Sequence, residues 1–470
     1  MTLEKEKISF IEGKIFPKLL LFVLPIIATN LLQTLYNAAD MMVVSLSNEQ
    51  NAVGAIGTTS SFINLVVNIF IGFSVGANVV VARHIGAGDL ERTQKDVHTS
   101  LIMAFLFGVV GAAVGFVIAR PVLTAMGNTG RLLELAVTYT YIYFAGVPFL
   151  SLTNYLIAIF RAKGDSKTPL VVLSLAGILN VALNLFFVVV VKFSVEGVAL
   201  ATAISNFASF LVLLIKLCRD KDDTAFSFKK LKIDKKAFVG IVRVGLPAGI
   251  QGALFSLSNI LIQSSIVTVN NSVCPPDSAF EPIVNGSAAS ANIEGFVYTS
   301  MNAVYQGSIT VTSQNVGAKK LERVKPILYN CYLLTTLIGV IMGGLVLLLK
   351  EPLLSLYGVK MGAEGSLEAL AMQAATTRIL YIVVPYFLCG LMEVGSGVLR
   401  GLERSLLSTV ISLVGSCLLR IVWLWTVFPL FPTLKTIFIC YPITWALTAL
   451  TEFAAIMFLI NRMLKRRWLE

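Results

Sequence analysis

Asn30, Gln33, Asn37 and Asp40 stand three, four and three residues apart inside PIIATNLLQTLYNAAD, residues 25–40. On a helix of 3.6 residues per turn those four share one stripe, with Tyr36 beside it. The apolar run around them, about 16–46, is long enough to cross a bilayer with some tilt. An aspartate in hydrocarbon costs at least ~2.5–3.5 kcal/mol on insertion scales. A polar stripe ending in a carboxylate therefore faces protein or a wet cavity. The amides suit equally a hydrogen-bonded seam between helices and the wall of a cavity. For Asp40 the expectation is function, because an acid inside a membrane marks an ion or substrate path.

Two further segments carry matching chemistry. Asn180 and Asn184, in NVALN, are spaced i and i+4 on one helix face, and GVALAT ends in Thr202. Counted at ~1.5 Å per residue from the outer helix ends, Asp40, Asn184 and Thr202 fall roughly 9–12 Å below the surface, with Asn180 deeper. Carboxylate, amide and hydroxyl oxygens at one depth suit a hard cation. The same carboxylate can instead hold a proton if burial raises its pKa.

The elements that must position these groups follow from composition. Of 470 residues, 56% are hydrophobic and only 13% charged, with mean hydropathy +0.82, where soluble domains run near a quarter charged. The chain is read as an all-α integral membrane protein. The net charge of +11 sits between apolar segments, as membrane orientation requires, so nucleic acid is excluded as a partner. The six cysteines show neither metal spacing nor a paired framework. The first apolar run is too long for the core of a cleavable signal, so none is expected.

Twelve spans are expected, at 16–46, 53–82, 97–119, 134–159, 168–191, 194–217, 238–269, 287–315, 325–349, 374–399, 405–428 and 437–461. One set of alternate gaps holds most of the basic charge, including Lys5, Lys7, Lys14, Arg83, Arg92, Lys163, Lys319, Arg323, Arg404 and Arg462–Arg467. The other set holds few, among them Arg120, Lys350 and Arg378. The bias places both termini in the cytoplasm, which an even number of spans requires. The plasma or inner membrane is the expected location. Residues 218–236 form a basic linker expected to face lipid headgroups, and 270–286 an external loop with turn chemistry. His84 and His98 are expected to be solvated at helix ends.

The halves repeat. IGAGDLER at 85–92 matches VGAKKLER at 316–323. Pro25 and Asn37 match Pro247 and Asn259 at the same separation, and Phe160-Arg161 matches Leu399-Arg400. Matches in one order predict an N-lobe at 1–217, the linker at 218–236 and a C-lobe at 237–470. Duplicated bundles of this kind place a substrate path between lobes in alternating-access transporters.

At this point the residues resemble a family. PxxxxxxxQxLYNxxD at 25–40, the GAG and GAK turns, SQNVGA at 313–318, FRAKGDSKTP at 160–169, NVALN, GVALAT and VLRG at 398–401 together resemble the multidrug and toxic compound extrusion (MATE) transporters over nearly the whole chain. The resemblance implies twelve helices in two six-helix lobes around a V-shaped cleft. It implies no enzyme and no cofactor, but efflux of small organic, often cationic compounds against H⁺ or Na⁺, by a protein expected to be a monomer in membrane lipid. It is closest to the branch with its coupling aspartate on the first helix. Asp40, Asn180 and Thr202 match that branch's cation site, whereas position 184 departs from it, with Asn184 where a second aspartate often stands. A single negative charge should hold Na⁺ less tightly or release protons more readily than two.

Gln33, Tyr36, Asn37 and Glu294 are the expected cargo-binding residues, with Na⁺ at Asp40 the only metal considered. Helix one is expected to bend near Pro25. Glu294, in the outer half of the eighth span, and Arg420, in the outer half of the eleventh, either line a cavity or neutralise one another. Glu393 is a weaker carry-over, because the family's acid on that span sits one turn earlier, where this chain has Cys389. Glu452 has no partner visible in the sequence. A rival reading, a flippase for a lipid-linked substrate, needs several cationic residues facing a cavity, and Arg420 is the only clear mid-span base. A lipid transferase needs paired acids outside the membrane, which 270–286 and 350–373 lack.

Overall fold

The structure is a computed structural model that describes residues 8–467, except 48, 50, 221, 223, 275–280 and 364. Lys5, Lys7 and the centre of the expected 270–286 loop lie outside the described residues. Helices follow one another as α1 (Ile15–Val44), α2 (Ala52–Ala87), α3 (Leu90–Ala125), α4 (Gly130–Ala162), α5 (Lys167–Leu185), α6 (Val195–Arg219), α7 (Lys235–Val273), α8 (Pro282–Gly317) and α9 (Val324–Leu348). They continue as a short α10 (Lys350–Leu356), then α11 (Leu367–Arg378), α12 (Phe387–Gly401), α13 (Ser405–Ser412), α14 (Leu419–Thr426) and α15 (Leu434–Arg467). Wide π turns prolong α5 at Phe186–Val190, follow α11 at Ile379–Val383, and join α13 to α14 at Leu413–Leu418. No strand occurs among the described residues.

Among the described residues ten helices are long and apolar enough to cross a bilayer, and α11 with α12, bent by 45°, makes an eleventh. The twelfth, α8, is long enough, but it carries Asn285, Ser287, Asn292, Glu294, Asn302 and Gln306 along its length. Large apolar side chains such as Val117, Leu175 and Phe458 remain exposed, as a lipid-facing surface requires. The protein is a multi-pass membrane protein of all-α fold.

The tenth span starts earlier than expected, at Leu367 rather than 374. Glu368, Gln373, Thr376 and Thr377 disguise α11 as a loop, and Arg378, counted as a loop charge, is instead its buried last residue. Pro25 lies within α1, which runs as one helix, and Thr29 donates to the Pro25 carbonyl at 2.8 Å.

By packing the chain forms two units. The first holds Met1–Ala253, Ile309–Lys320 and Gly401–Leu406, and the second holds Leu254–Ser308, Leu321–Arg400 and Leu407–Glu470. The first half of α7 and the end of α8 thus pack with the N-terminal helices, where the sequence put both in the C-lobe.

Inside the first unit the two repeat motifs grip each other. A Cβ on Gly86 would lie 2.0 Å from the Gln314 carbonyl oxygen, and one on Gly317 would lie 1.8 Å from that of Arg83. Gln314 precedes Gly317 by the same three residues that separate Arg83 from Gly86. The crossing of α2 with α8 is therefore reciprocal, and only glycine permits it.

The 218–236 segment is anchored to this unit through its acids and Phe226, while Lys229, Lys230, Lys232, Lys235 and Lys236 stay exposed. Lys163, counted as a loop charge, is 4% exposed at its side chain and pairs with Asp220 and, at 3.2 Å, with Asp222. His98 is buried, not solvated: its Nδ1 meets the Gln94 carbonyl at 2.6 Å, the Ser227 amide donates to its Nε2 at 3.1 Å, and its ring stacks on Phe226. His84 pairs with the buried Asp96. Asp234 accepts from the Lys236 and Ala237 amides at the start of α7, and the Ala237 amide foremost holds its carboxyl below the usual carboxylate range.

Candidate functional site

Within the first unit α5 packs against both α1 and α6, which brings the oxygen-bearing residues of three separate segments together. Asn184, fully buried, donates from Nδ2 to Asp40 Oδ1 at 2.5 Å and to Asn180 Oδ1 at 3.2 Å. Asn180 Nδ2 in turn reaches Thr202 Oγ1 at 3.4 Å. Asp40, Asn184, Asn180 and Thr202 thus form one polar chain across α1, α5 and α6. The i, i+4 spacing of the two asparagines puts both amides on the α5 face that looks at its neighbours. The π turn of α5 begins two residues after Asn184, a wide turn of the sort that recurs at functional sites.

The chain is sealed in its middle and more open at its two ends. Asp40 and Thr202 are half-buried, whereas Asn180 and Asn184 are buried. Asn184 Oδ1 is a buried acceptor with no hydrogen-bond partner among the described residues. An acceptor left bare in this way costs about 1–3 kcal/mol, and a cation beside Asp40 would remove that penalty. The donor set of one carboxylate, two amide oxygens and one hydroxyl is the oxygen chemistry a hard cation takes. A proton fits as well, because it needs only the carboxylate.

The first-helix stripe divides by exposure. Gln33 and Asn37 are exposed. Tyr36 instead turns onto α5: its hydroxyl donates to the Ser174 carbonyl at 3.1 Å, and its ring lies on Gly177, where a Cβ would fall 1.7 Å from ring carbon. Tyr36 therefore clamps α1 to α5 just before the acid. Sequence reasoning missed Tyr139 and Tyr143 of α4, which stack at 6.1 Å and lie close enough to Asp40 to feel its charge. Their i, i+4 spacing with aromatic character was the only signal available.

Glu294 is placed differently from the sequence expectation. It lies in the second unit, 5% exposed, with both carboxylate oxygens held by Arg378: Nε to Oε1 at 2.8 Å and Nη2 to Oε2 at 3.0 Å. Arg378 also reaches Ser287 at 3.0 Å and lies over the Phe438 ring. A bidentate pair leaves Glu294 little capacity for cargo. The misplaced start of the tenth span hid this partner. Arg420 does not neutralise Glu294; it lies over the Tyr441 and Trp445 rings at 4.3 and 5.7 Å. Glu393, half-buried, accepts from Asn302 at 3.2 Å.

Comparison with known proteins agrees with this fold. The MatE family model matches residues 25–186 and 283–426. A protein of Bacillus subtilis named probable multidrug resistance protein YoeA is 28% identical over 402 residues, 84% of this chain and 82% of that one. The multidrug export protein MepA of Staphylococcus aureus is 23% identical over 56% of this chain and 58% of its own. Among solved structures, an outward-facing multidrug resistance MATE transporter superposes with a TM-score of 0.87 at 20% identity, covering 98% of this chain and 99% of that one. MATE structures in the straight and bent conformations superpose with TM-scores of 0.87 and 0.86, at 19% and 20% identity and the same coverages.

Proposed function

The chain belongs to the MatE family of multidrug efflux transporters, which are not enzymes, and on that premise we propose that it exports organic cations in exchange for H⁺ or Na⁺, with Asp40 carrying the coupling cation. The observation that supports this most is the polar chain from Asp40 through Asn184 and Asn180 to Thr202. It sets one half-exposed carboxylate beside a bare amide oxygen, with no basic side chain hydrogen-bonded to either among the described residues.

Asp40 carries one negative charge, so the coupling cation and a cationic cargo compete for it. Two unit charges 4 Å apart interact by about 4 kcal/mol at an effective dielectric near 20, enough for the loaded cation to expel the cargo and the reverse. Gln33 and Asn37, exposed on the same stripe, supply hydrogen bonds to cargo held near Asp40. Alternating access then needs only that the two loads reach Asp40 from opposite sides of the membrane. Every group of the cation site comes from the first unit of a single chain, which supports a working monomer. The basic residues gathered in alternate gaps support cytoplasmic termini in the cell membrane.

Efflux of a cationic dye or a fluoroquinolone from proteoliposomes, under separate H⁺ and Na⁺ gradients, tests this reading. One gradient should drive wild-type export, and Asp40→Asn should abolish it. Normal export by Asp40→Asn under every gradient would remove Asp40 from the mechanism.

A further inference from the structure

The second unit contains an acid that the proposed function leaves unused. Glu452 of α15 is 0% exposed. Its Oε1 accepts from Ser396 of α12 at 2.7 Å and from Ser412 of α13 at 3.1 Å, and the two hydroxyls lie 3.1 Å apart. Its Oε2 has no hydrogen-bond partner among the described residues and lies against Gly395, where a Cβ would come within 2.5 Å of it. The cluster ends a ladder of three rungs. Ser412 meets Glu452, Ser416 meets Thr448 at 3.1 Å, and Arg420 donates from Nε to Thr444 at 3.2 Å. The rungs step four residues at a time along α13, its π turn and α14, and four at a time backwards along α15. Arg420 and Glu452 thus stand at opposite ends, eight residues or roughly 12 Å of helix apart, too far to pair.

As a bare carboxylate Glu452 would leave a full charge with one uncovered oxygen inside a membrane-embedded bundle, which desolvation strongly disfavours. As the neutral acid it keeps both hydroxyl bonds on Oε1 and removes the charge. The unengaged Oε2 lies against Gly395, which leaves little room for a hard metal cation with the several oxygens it gathers. We propose that Glu452 is a proton-binding carboxyl of the second unit, chemically separate from Asp40, with Ser396 and Ser412 as the hydroxyls that orient it. Arg400 and Glu393 of α12 and Tyr332 of α9 are the titratable groups near enough to feel its charge. Arg400 is itself engaged by the Tyr305 hydroxyl and ring. In a proton-driven exchanger, a consequence that rests on the antiport reading, Glu452 adds a second proton to the coupling.

The test is infrared difference spectroscopy of the full chain in lipid nanodiscs across a pH series. The starting protein is Asp40→Asn, so that Asp40 makes no contribution. A neutral carboxylic C=O band should titrate in Asp40→Asn, persist when Glu393→Gln is added and vanish when Glu452→Gln is added. Adding Ser412→Ala, which removes one donor to Oε1, should shift its frequency, a readout that survives if Glu452→Gln folds poorly. Na⁺ at fixed pH should leave the band unchanged. A band indifferent to both Glu452→Gln and Ser412→Ala, or one abolished by Na⁺, overturns the proposal. Because no transport is measured, a failed antiport reading would show only in the dye assay and a failed Glu452 only here.

Discussion

The polar chain at Asp40 and the polar ladder at Glu452 use the same construction with opposite outcomes. Both set neutral polar side chains of neighbouring helices against a carboxylate, the amides of α5 at Asp40 and the serine hydroxyls of α12 and α13 at Glu452. At Asp40 the acid is half-buried, its amide partner keeps a bare oxygen, and exposed Gln33 and Asn37 continue the stripe. At Glu452 the acid is sealed, glycine lies against its free oxygen, and the rungs close with side chains from three helices. The open arrangement suits an ion that exchanges with something as large as a drug. The sealed one admits nothing larger than a proton. Exposure of the acid, rather than its presence in the membrane, separates the two roles.

The difference predicts that changes around Asp40 disable transport before they disturb the fold, and that changes among the sealed charges do the reverse. The largest effect is expected at Asp40→Asn, with export abolished while the unfolding temperature in detergent stays close to that of wild type. Next is Arg378→Ala, which strands the buried Glu294 carboxylate. Breaking a buried pair costs about 3–5 kcal/mol, to be read as a lower unfolding temperature, and Arg378→Met with Glu294→Gln should recover most of it. Gly177→Ala forces a methyl into the Tyr36 ring, an overpacking of about 1–3 kcal/mol. Combining it with Tyr36→Ala should relieve the strain, and a lack of rescue would show that the clamp does not hold α1 on α5. Thr202→Val breaks the far, 3.4 Å end of the chain, worth about 0.5–1.5 kcal/mol, and should weaken coupling only mildly. A control outside both regions completes the series. Asp234→Ala removes the cap of α7, about 0.5–2 kcal/mol at such sites. Because the Asp234 carboxyl is held below its ordinary 3.8, its contribution is complete above that pH and fades as pH falls through the lowered value. The variant should therefore lose its deficit only in strong acid.

Much of this was legible in the chain itself. The helical class, the membrane setting and the stripe ending at Asp40 follow from hydropathy and a period of 3.6, which are local properties. Asn180, Asn184 and Thr202 were visible as oxygen-bearing residues that rise per residue sets at similar depth, and the packing of α1, α5 and α6 brings them into contact. Tyr36 was read as part of the cargo stripe, since spacing shows which face a residue occupies but not which neighbour fills the space in front of it. Arg378 was misplaced because α11 is too polar to stand out as a helix by composition, and Glu294 then lacked its partner.

What sequence determined by itself, then, is that this chain must bury its helices in a bilayer and that a few polar residues must be sheltered from it, since desolvation penalties depend on residue type alone. Only the tertiary structure decided which of those residues meet. Asp40 with Asn184, Glu294 with Arg378, and Glu452 with Ser396 and Ser412 are pairings between segments up to 144 residues apart. They depend on which helix faces pack together, and no local pattern encodes that.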